Sequence, residues 1–190
     1  LRVISGEAKG KKLFSPPGTR PTAGKARESF FNILGKEVFS AKVLDLFAGT
    51  GALGIEALSR GAKEAVFVDN NYLSCRAVKR NIANLSLGNQ SAIYRLGVDK
   101  ALKLFSRKGY KFDIIFMDPP YGSGLATRTL VEISRNNTLS NGGVVVVEHY
   151  RKNVLPEAVE ELKIKRKAVY GDTAVSFYVR SGCHETCSGL

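Results

Sequence analysis

The run Val43-Leu44-Asp45-Leu46-Phe47-Ala48-Gly49-Thr50-Gly51-Ala52-Leu53-Gly54 decides the architecture. It opens on apolar residues of strand character, breaks at glycines, and continues into a segment able to form a helix. The glycines fit G-x-G-x-x-G, and Asp69 stands twenty positions after Gly49, at the end of the next apolar stretch. A strand, a glycine turn, a helix and a second strand ending in an acid make a nucleotide-binding β/α unit. Glycine lets the backbone take positive φ and approach a ligand closely. The acid can accept hydrogen bonds from two ribose hydroxyls.

Working outward, the chain alternates. Strands are predicted at 42–47, 65–69, 92–97, 113–118 and 143–148, and helices at 52–60, 71–85, 99–107 and 125–135. Val144-Val145-Val146-Val147 is a continuous β-branched run, the pattern of a strand buried on both faces. Five such repeats predict an α/β fold: a mostly parallel sheet with helices on both sides. Residues 161–170 and 173–180 flank Gly171-Asp172 and read as an antiparallel hairpin that closes the sheet. Upstream, Leu1–Ser5 and Lys11–Phe14 read as a short strand pair. Ser15-Pro16-Pro17-Gly18-Thr19-Arg20-Pro21 is closed to helix. Thr22 suits the N-cap of a helix through about Val38, with Phe30, Phe31, Ile33 and Leu34 on its apolar face. The expected organisation is one domain over 1–180. It comprises an N-terminal appendage (1–40), a β/α core (41–150) and a closing hairpin (151–180), followed by a loose tail (181–190).

At 190 residues, 44% hydrophobic and 24% charged, the chain has the profile of a globular protein with a substantial core. Its 29 Lys and Arg against 17 Asp and Glu leave a net charge of +12, which favours a polyanionic partner such as nucleic acid. Residues 1–40 carry eight of the basic residues against three acids. Cys75, Cys183 and Cys187 are an odd set without framework spacing, which fits a reducing compartment. Cys183-His184-x-x-Cys187 lacks the further ligands a metal needs, with His149 the one other histidine, so no metal is expected. No apolar run reaches membrane-spanning length and no signal h-region opens the chain. A cytoplasmic monomer with no membrane association is the expectation.

The second decisive run is Phe112-Asp113-Ile114-Ile115-Phe116-Met117-Asp118-Pro119-Pro120-Tyr121. An apolar strand ends at an acid, two prolines and an aromatic ring. Acceptors beside a flat ring suit a planar group bearing an NH2, such as the edge of a nucleobase. The glycine loop leaves two ligands, a nicotinamide dinucleotide or S-adenosylmethionine. Asp45, just before the loop, is a poor neighbour for a pyrophosphate and a good one for a sulfonium and an ammonium group; it can also cap loop amides. Asp45 therefore favours S-adenosylmethionine. Gly49 and Gly51 would let the backbone approach it, Asp69 would accept from its ribose hydroxyls, and Asp99 could accept from its adenine amine or cap the following helix. The first and fourth core strands should be neighbours at the switch point of the sheet, which puts Asp118 beside the donated methyl. Asp118 and a backbone carbonyl would accept the two N–H bonds of a base amine and aim its lone pair. Pro119 and Pro120 would stiffen the loop, and Tyr121 would stack on the base.

These two runs resemble the amino-methyltransferases that use S-adenosylmethionine on a seven-stranded Rossmann-like sheet, a group that includes DNA adenine and rRNA guanine enzymes. Arg2-Val3-Ile4-Ser5-Gly6, Gly10-Lys11-Lys12-Leu13, Arg20-Pro21-Thr22 and Arg27-Glu28-x-x-Phe31-Asn32-Ile33-Leu34 narrow the resemblance to the bacterial small-subunit rRNA guanine-N2 methyltransferases, from Arg2 to about Arg180. The resemblance implies N2 methylation of a guanine in 16S rRNA, within a small ribosomal subunit or its assembly intermediate. It implies that Asp118 to Tyr121 orient the amine and that Phe47, Ala48, Gly49, Thr50 and Gly51, with Asp69 and Asn70, hold the cofactor. It also places Arg2, Arg20, Thr22 and Arg27 toward the RNA entrance or the cofactor's carboxylate. Gly24 and Lys25 stand where the family usually has an acid and a base. The alternatives are a DNA amino-methyltransferase of the adenine-N6 type, which 190 residues leave little room to equip with a target-recognition domain, a non-catalytic RNA-binding assembly protein, and a nicotinamide dehydrogenase.

Overall fold

In a computed structural model, residues 1–16, 24–120 and 124–181 are described, except for the side chains of Lys25 and Ala26. Eight strands form one sheet: β1 (Lys42–Leu46), β2 (Glu64–Asp69), β3 (Ser91–Arg95), β4 (Phe112–Met117), β5 (Leu139–Tyr150), β6 (Ala158–Val159), β7 (Leu162–Tyr170) and β8 (Thr173–Arg180). Their spatial order is β3-β2-β1-β4-β5-β8-β7-β6. The first five are parallel to one another, and β8, β7 and β6 close the sheet in antiparallel fashion. The expected seven strands are therefore present, with β6 added as a two-residue edge.

Burial follows the period of two that strands impose. Val43, Phe67, Ile114, Phe116, Val144, Val146 and Phe177 join one apolar layer. Leu44, Leu46, Val66, Ile115, Met117, Val145 and Val147 join the other. Helices α1 (Gly24–Leu34), α2 (Ala52–Ser59) and α3 (Tyr72–Asn84) contribute to the first layer, and α4 (Val98–Arg107) and α5 (Leu125–Arg135) to the second. Leu44 and Val145 are 0% exposed because helices cover the sheet on both faces.

Most boundaries fall within two residues of the expectations, and three elements differ by more. β5 starts at Leu139 rather than 143, because Leu139 pairs with Phe112 and the register then shifts before Ile114 meets Val144. Gly143 makes this bulge feasible, since a Cβ there would lie 2.9 Å from Leu139 Cδ1 and 3.0 Å from the Asp113 carbonyl. The first helix ends at Leu34 and continues only as a 3₁₀ turn, Gly35–Val38; Thr22, read as its N-cap, lies outside the described residues. The N-terminal strand pair reduces to one bridge, Arg2 to Lys12. A longer ladder cannot form, because the amides of Ile4 and Ser5 are taken by the buried Glu56 carboxylate, at 2.8 and 2.9 Å.

Glu56 also takes Arg60 Nε at 2.9 Å. One residue of α2 thus holds the N-terminal segment against the helix that follows the glycine loop. Gly6 fits only as glycine there: its φ is +79° and a Cβ would lie 1.6 Å from the Ser59 carbonyl. Val3, Leu13, Phe30, Phe31 and Leu34 pack into the same apolar layer as β1 and β4. The N-terminal segment thereby reaches the neighbourhood of the glycine loop.

Candidate active site

The strand order reverses between β1 and β4: from β1 the chain builds outward through β2 and β3, and β4 and β5 lie on the opposite side. At such a switch point the loops leaving the two strands part and open a crevice at their carboxyl ends. Leu46 pairs with Met117, so the glycine loop and Asp118 leave the sheet side by side.

The loop is held tightly. Phe47, Gly49 and Gly51 have φ of 62°, 55° and 76°. Positive φ in a bulky residue such as Phe47 is a strained conformation that the surroundings must impose. Ala48 N–H donates to the Val68 carbonyl at 3.0 Å and Gly51 N–H to the Ala48 carbonyl at 2.7 Å. The three glycines do different work. A Cβ on Gly54 would lie 2.4 Å from Phe67 Cε1, and one on Gly51 3.2 Å from a Val78 methyl, so these two let α2 and α3 close on β2. Among the described residues, a Cβ on Gly49 would meet only the Phe47 carbonyl, at 3.9 Å, and would otherwise enter open space. Gly49 is therefore the glycine that leaves room for a ligand.

The acids converge on this loop. Asp45 lies on the same strand face as Val43, toward α2, and accepts from Gly54 N–H at 2.9 Å. The cap reading of Asp45 is thus present in the structure. Burial raises its carboxyl pKa well above the ordinary value; the Gly54 bond lowers it, and the charges of Asp118 and Asp69 raise it further. Asp69 accepts from Gly49 N–H at 2.9 Å with one oxygen and from Asn71 N–H at 2.8 Å with the other. With Asp69 and Asp118 both felt electrostatically at Asp45, the acids make a region in which a bound cation is stabilised and a pyrophosphate is repelled.

The other predicted residues are placed as follows. Thr50 is buried, Asn70 exposed and Pro119 buried, while Pro120 stands exposed beyond it. Asp99 is exposed in the first turn of α4, but Gly97 occupies the N-cap position and makes no side-chain cap bond, so the cap reading of Asp99 is corrected. Arg2 is exposed and donates to the Gly10 carbonyl at 2.7 Å. Arg27 is 2% exposed. It donates to the Arg2 carbonyl and lies between Glu56 and Glu148 electrostatically, with burial pushing its pKa down. This corrects the reading of Arg27 as an RNA-facing residue, because the packing of α1 under the N-terminal segment withdraws it from a polyanion's reach. Arg20, Thr22 and Tyr121 lie outside the described residues.

Two features escaped the sequence. Asn81, 1% exposed on α3, donates through Nδ2 to the Thr50 carbonyl at 2.9 Å and to the Phe14 carbonyl at 3.0 Å. Its Oδ1 accepts from Phe14 N–H at 2.7 Å. It joins the glycine loop to the N-terminal segment just before residues 17–23. The only sequence signal is a polar residue in the apolar stripe of Ala77, Val78 and Ile82. The second feature is a cavity of about 440 Å³ beside Pro119 and Pro120, with Leu125, His149, Lys152 and Asn153 among its walls. His149 Nδ1 lies 3.1 Å from the Tyr150 carbonyl and Nε2 lies 2.9 Å from Ser176 Oγ. The carbonyl requires the proton on Nδ1, so Nε2 accepts from the serine; burial lowers the pKa and keeps the ring neutral.

The family model described as "Conserved hypothetical protein 95" matches residues 1–179. YlbH of Bacillus subtilis (strain 168) is 41% identical over 184 residues, covering 96% of this chain and 100% of the relative. Ribosomal RNA small subunit methyltransferase D of Escherichia coli (strain K12) is 34% identical over 188 residues, 98% of this chain and 93% of the relative. The solved structure of yhhF from Escherichia coli superposes with a TM-score of 0.83 at 34% identity, over 95% of this chain and 98% of that one. The chain belongs to the Conserved hypothetical protein 95 family, whose curated members include ribosomal RNA small subunit methyltransferase D.

Proposed function

We propose that this site transfers a methyl group from S-adenosylmethionine to the exocyclic N2 amine of a guanine in 16S rRNA, acting as a cytoplasmic monomer on the small ribosomal subunit or its assembly intermediate. The coarser part, an S-adenosylmethionine-dependent rRNA methyltransferase, rests on family membership and on a fold shared with the relatives above. The observation that carries the finer part is the placement of Asp118. It leaves β4 one residue after Met117, next to the glycine loop, and its charge is felt by Asp45.

The residues present fit the cofactor. Gly49 leaves open space over the loop, and the carboxylates of Asp45, Asp69 and Asp118 suit a ligand bearing a sulfonium and an ammonium group. Phe47 to Gly51 hold it against the loop. Asp69 and Asn70 take the ribose side, and Asp99 the adenine side. When bound, the cofactor supplies an activated methyl group.

The chain's part is orientation. An exocyclic amine is a weak nucleophile because its lone pair is delocalised into the ring. Asp118 and a backbone carbonyl of Pro119 accept its two N–H bonds and turn the lone pair toward the methyl, and positioning of this kind supplies much of the rate. Asp118 also takes up the proton that becomes acidic as the nitrogen is alkylated. The cavity beside Pro119 and Pro120 receives the extruded base, on which Tyr121 stacks. Arg2, Arg20 and Thr22 are assigned to the RNA side.

Transfer of labelled methyl to small subunits lacking the mark, followed by nucleoside analysis, tests this reading. N2-methylguanosine is the expected product, with no transfer to duplex DNA. Asp118→Asn should lower kcat at least about 100-fold with cofactor affinity retained. N6-methyladenosine as the product, or full activity in Asp118→Ala, would refute the assignment.

A further inference from the structure

A groove of about 630 Å³ lies between α3 and the edge strand β3, outside the site described above. Ile82 and Ile93 give it an apolar floor, and Arg76, Lys79 and Arg95 stand on its walls; none of its described lining residues is acidic. Tyr72, 55% exposed, heads α3. The guanidinium groups of Arg76 and Arg95 each lie 5.7 Å from the centre of its ring. Helix α3 itself, Tyr72-Leu73-Ser74-Cys75-Arg76-Ala77-Val78-Lys79-Arg80-Asn81-Ile82-Ala83-Asn84, contains no acid.

The arrangement has direction. Tyr72, Arg76 and Arg80 recur every four residues and share one helix stripe, about 12 Å long at 1.5 Å per residue. At its far end Arg80 lies 4.2 Å over the ring of Phe14, which is 39% exposed. At its near end Arg95 pairs with Asp69 in the register of β2 and β3, so the groove begins at the rim that holds the cofactor acids. Core packing does not account for a half-exposed ring beside two guanidinium groups, and three neighbouring cations repel one another. A ligand that brings both flat faces and negative charge relieves both conditions.

We propose that this groove binds an unpaired stretch of RNA flanking the target nucleotide, with a base stacked on Tyr72 and phosphates held by Arg76, Lys79 and Arg95. The choice of RNA rests on the methyltransferase reading above. The stacking platform and the charge stand on the groove's own geometry. An acidic protein segment would use the cations and leave the ring idle, so single-stranded RNA is the better fit.

The test uses the full chain and a 12-nucleotide oligouridylate. This probe carries no guanine, so the methyl-accepting pocket does not contribute to the reading. Tyr72→Ala should weaken binding about tenfold in fluorescence anisotropy, while Tyr72→Phe, which keeps the ring, should bind like the parent. Arg76→Gln combined with Arg95→Gln should reduce the slope of log affinity against log salt by roughly 1.4, for two phosphate contacts on a single strand. On small subunits these variants should raise KM for the particle with kcat and cofactor Kd unchanged. Cys75, partly exposed in the groove, should alkylate more slowly in the presence of the oligonucleotide when followed by peptide mass spectrometry.

Parent-like binding by Tyr72→Ala, a polyglutamate peptide competing as well as the oligonucleotide, or a changed cofactor Kd would each overturn the inference. Methylated particles with groove variants indistinguishable from the parent would sink the groove alone. Loss of oligonucleotide binding in the variants, with no RNA methylated by the parent, would sink the proposed reaction and leave the groove as an RNA surface.

Discussion

Replacing Asn81 by Ala removes three hydrogen bonds at once: those to the Thr50 carbonyl, the Phe14 carbonyl and the Phe14 amide. Each is worth about 0.5–1.5 kcal/mol net, and a buried group left without its partner loses about 1–3 kcal/mol instead. Phe14 is 39% exposed, so water can reach its backbone and the lower figure applies to its two bonds. Thr50 is 8% exposed and its carbonyl faces Asn81, so the higher figure applies there. The expected loss is about 3 kcal/mol. For a chain of this size that corresponds to a fall in Tm of roughly 6–12 °C. Urea denaturation of parent and variant, read at unchanged m, measures it. Asn81→Asp keeps the acceptor for Phe14 N–H but turns a carboxylate toward two carbonyls, so it should be at least as damaging. Both variants should also weaken cofactor binding, because Thr50 belongs to the loop. A loss below about 0.5 kcal/mol, the range of an ordinary surface change, would refute the tether. So would a neutral Asn81→Asp.

Asp45→Asn preserves an acceptor for Gly54 N–H and removes a buried charge that Asp118 and Asp69 oppose. Since the folded state raises this pKa, its stabilising contribution is complete below the ordinary value of 3.8 and is lost as pH rises through the raised value. The variant should therefore gain stability over the parent as pH increases across that window, seen in denaturation series, while cofactor affinity falls about tenfold or more by calorimetry. Gly54→Ala forces Phe67 to move from a 2.4 Å contact. Overpacking of about 1–3 kcal/mol outweighs the roughly 1 kcal/mol helix-propensity gain, so Tm should drop. Gly49→Ala has little to collide with, but a φ of +55° strains any L side chain, so it should cost about 1–2 kcal/mol of stability as well as weaken cofactor binding. Tyr178 donates to the Pro156 carbonyl at 2.6 Å, and burial pushes its pKa up to about 12. Tyr178→Phe should cost about 1 kcal/mol near neutral pH. The parent should lose the corresponding stability as pH rises from 10 through about 12, a loss absent from the variant.

Much of the fold is local information. The alternation in β1, β4 and β5 assigns each side chain to one of two faces, and the valine run of β5 reports cover on both. The Gly171-Asp172 turn specifies its hairpin, since Tyr170 and Thr173 pair across it and Gly171 supplies φ of 60°. The glycine loop and its acid are likewise written within one β/α/β unit, so Gly49 and Asp69 could be named together before any packing was known.

What the tertiary structure decided concerns partners distant along the chain. Period two says that Asp45 faces a helix layer and can cap an amide there; it does not say which amide, and packing made it that of Gly54. An arginine in a basic N-terminal segment reads as a surface contact. Arg27 is buried because α1 packs beneath a segment that Glu56 draws onto α2. Asn81 looks like an interruption of an apolar stripe until chain closure brings residue 14 across 67 positions of sequence to meet it. Sequence period records which way a side chain points, because backbone geometry repeats. The identity of its partner depends on how separate elements close on one another, which only the assembled packing determines.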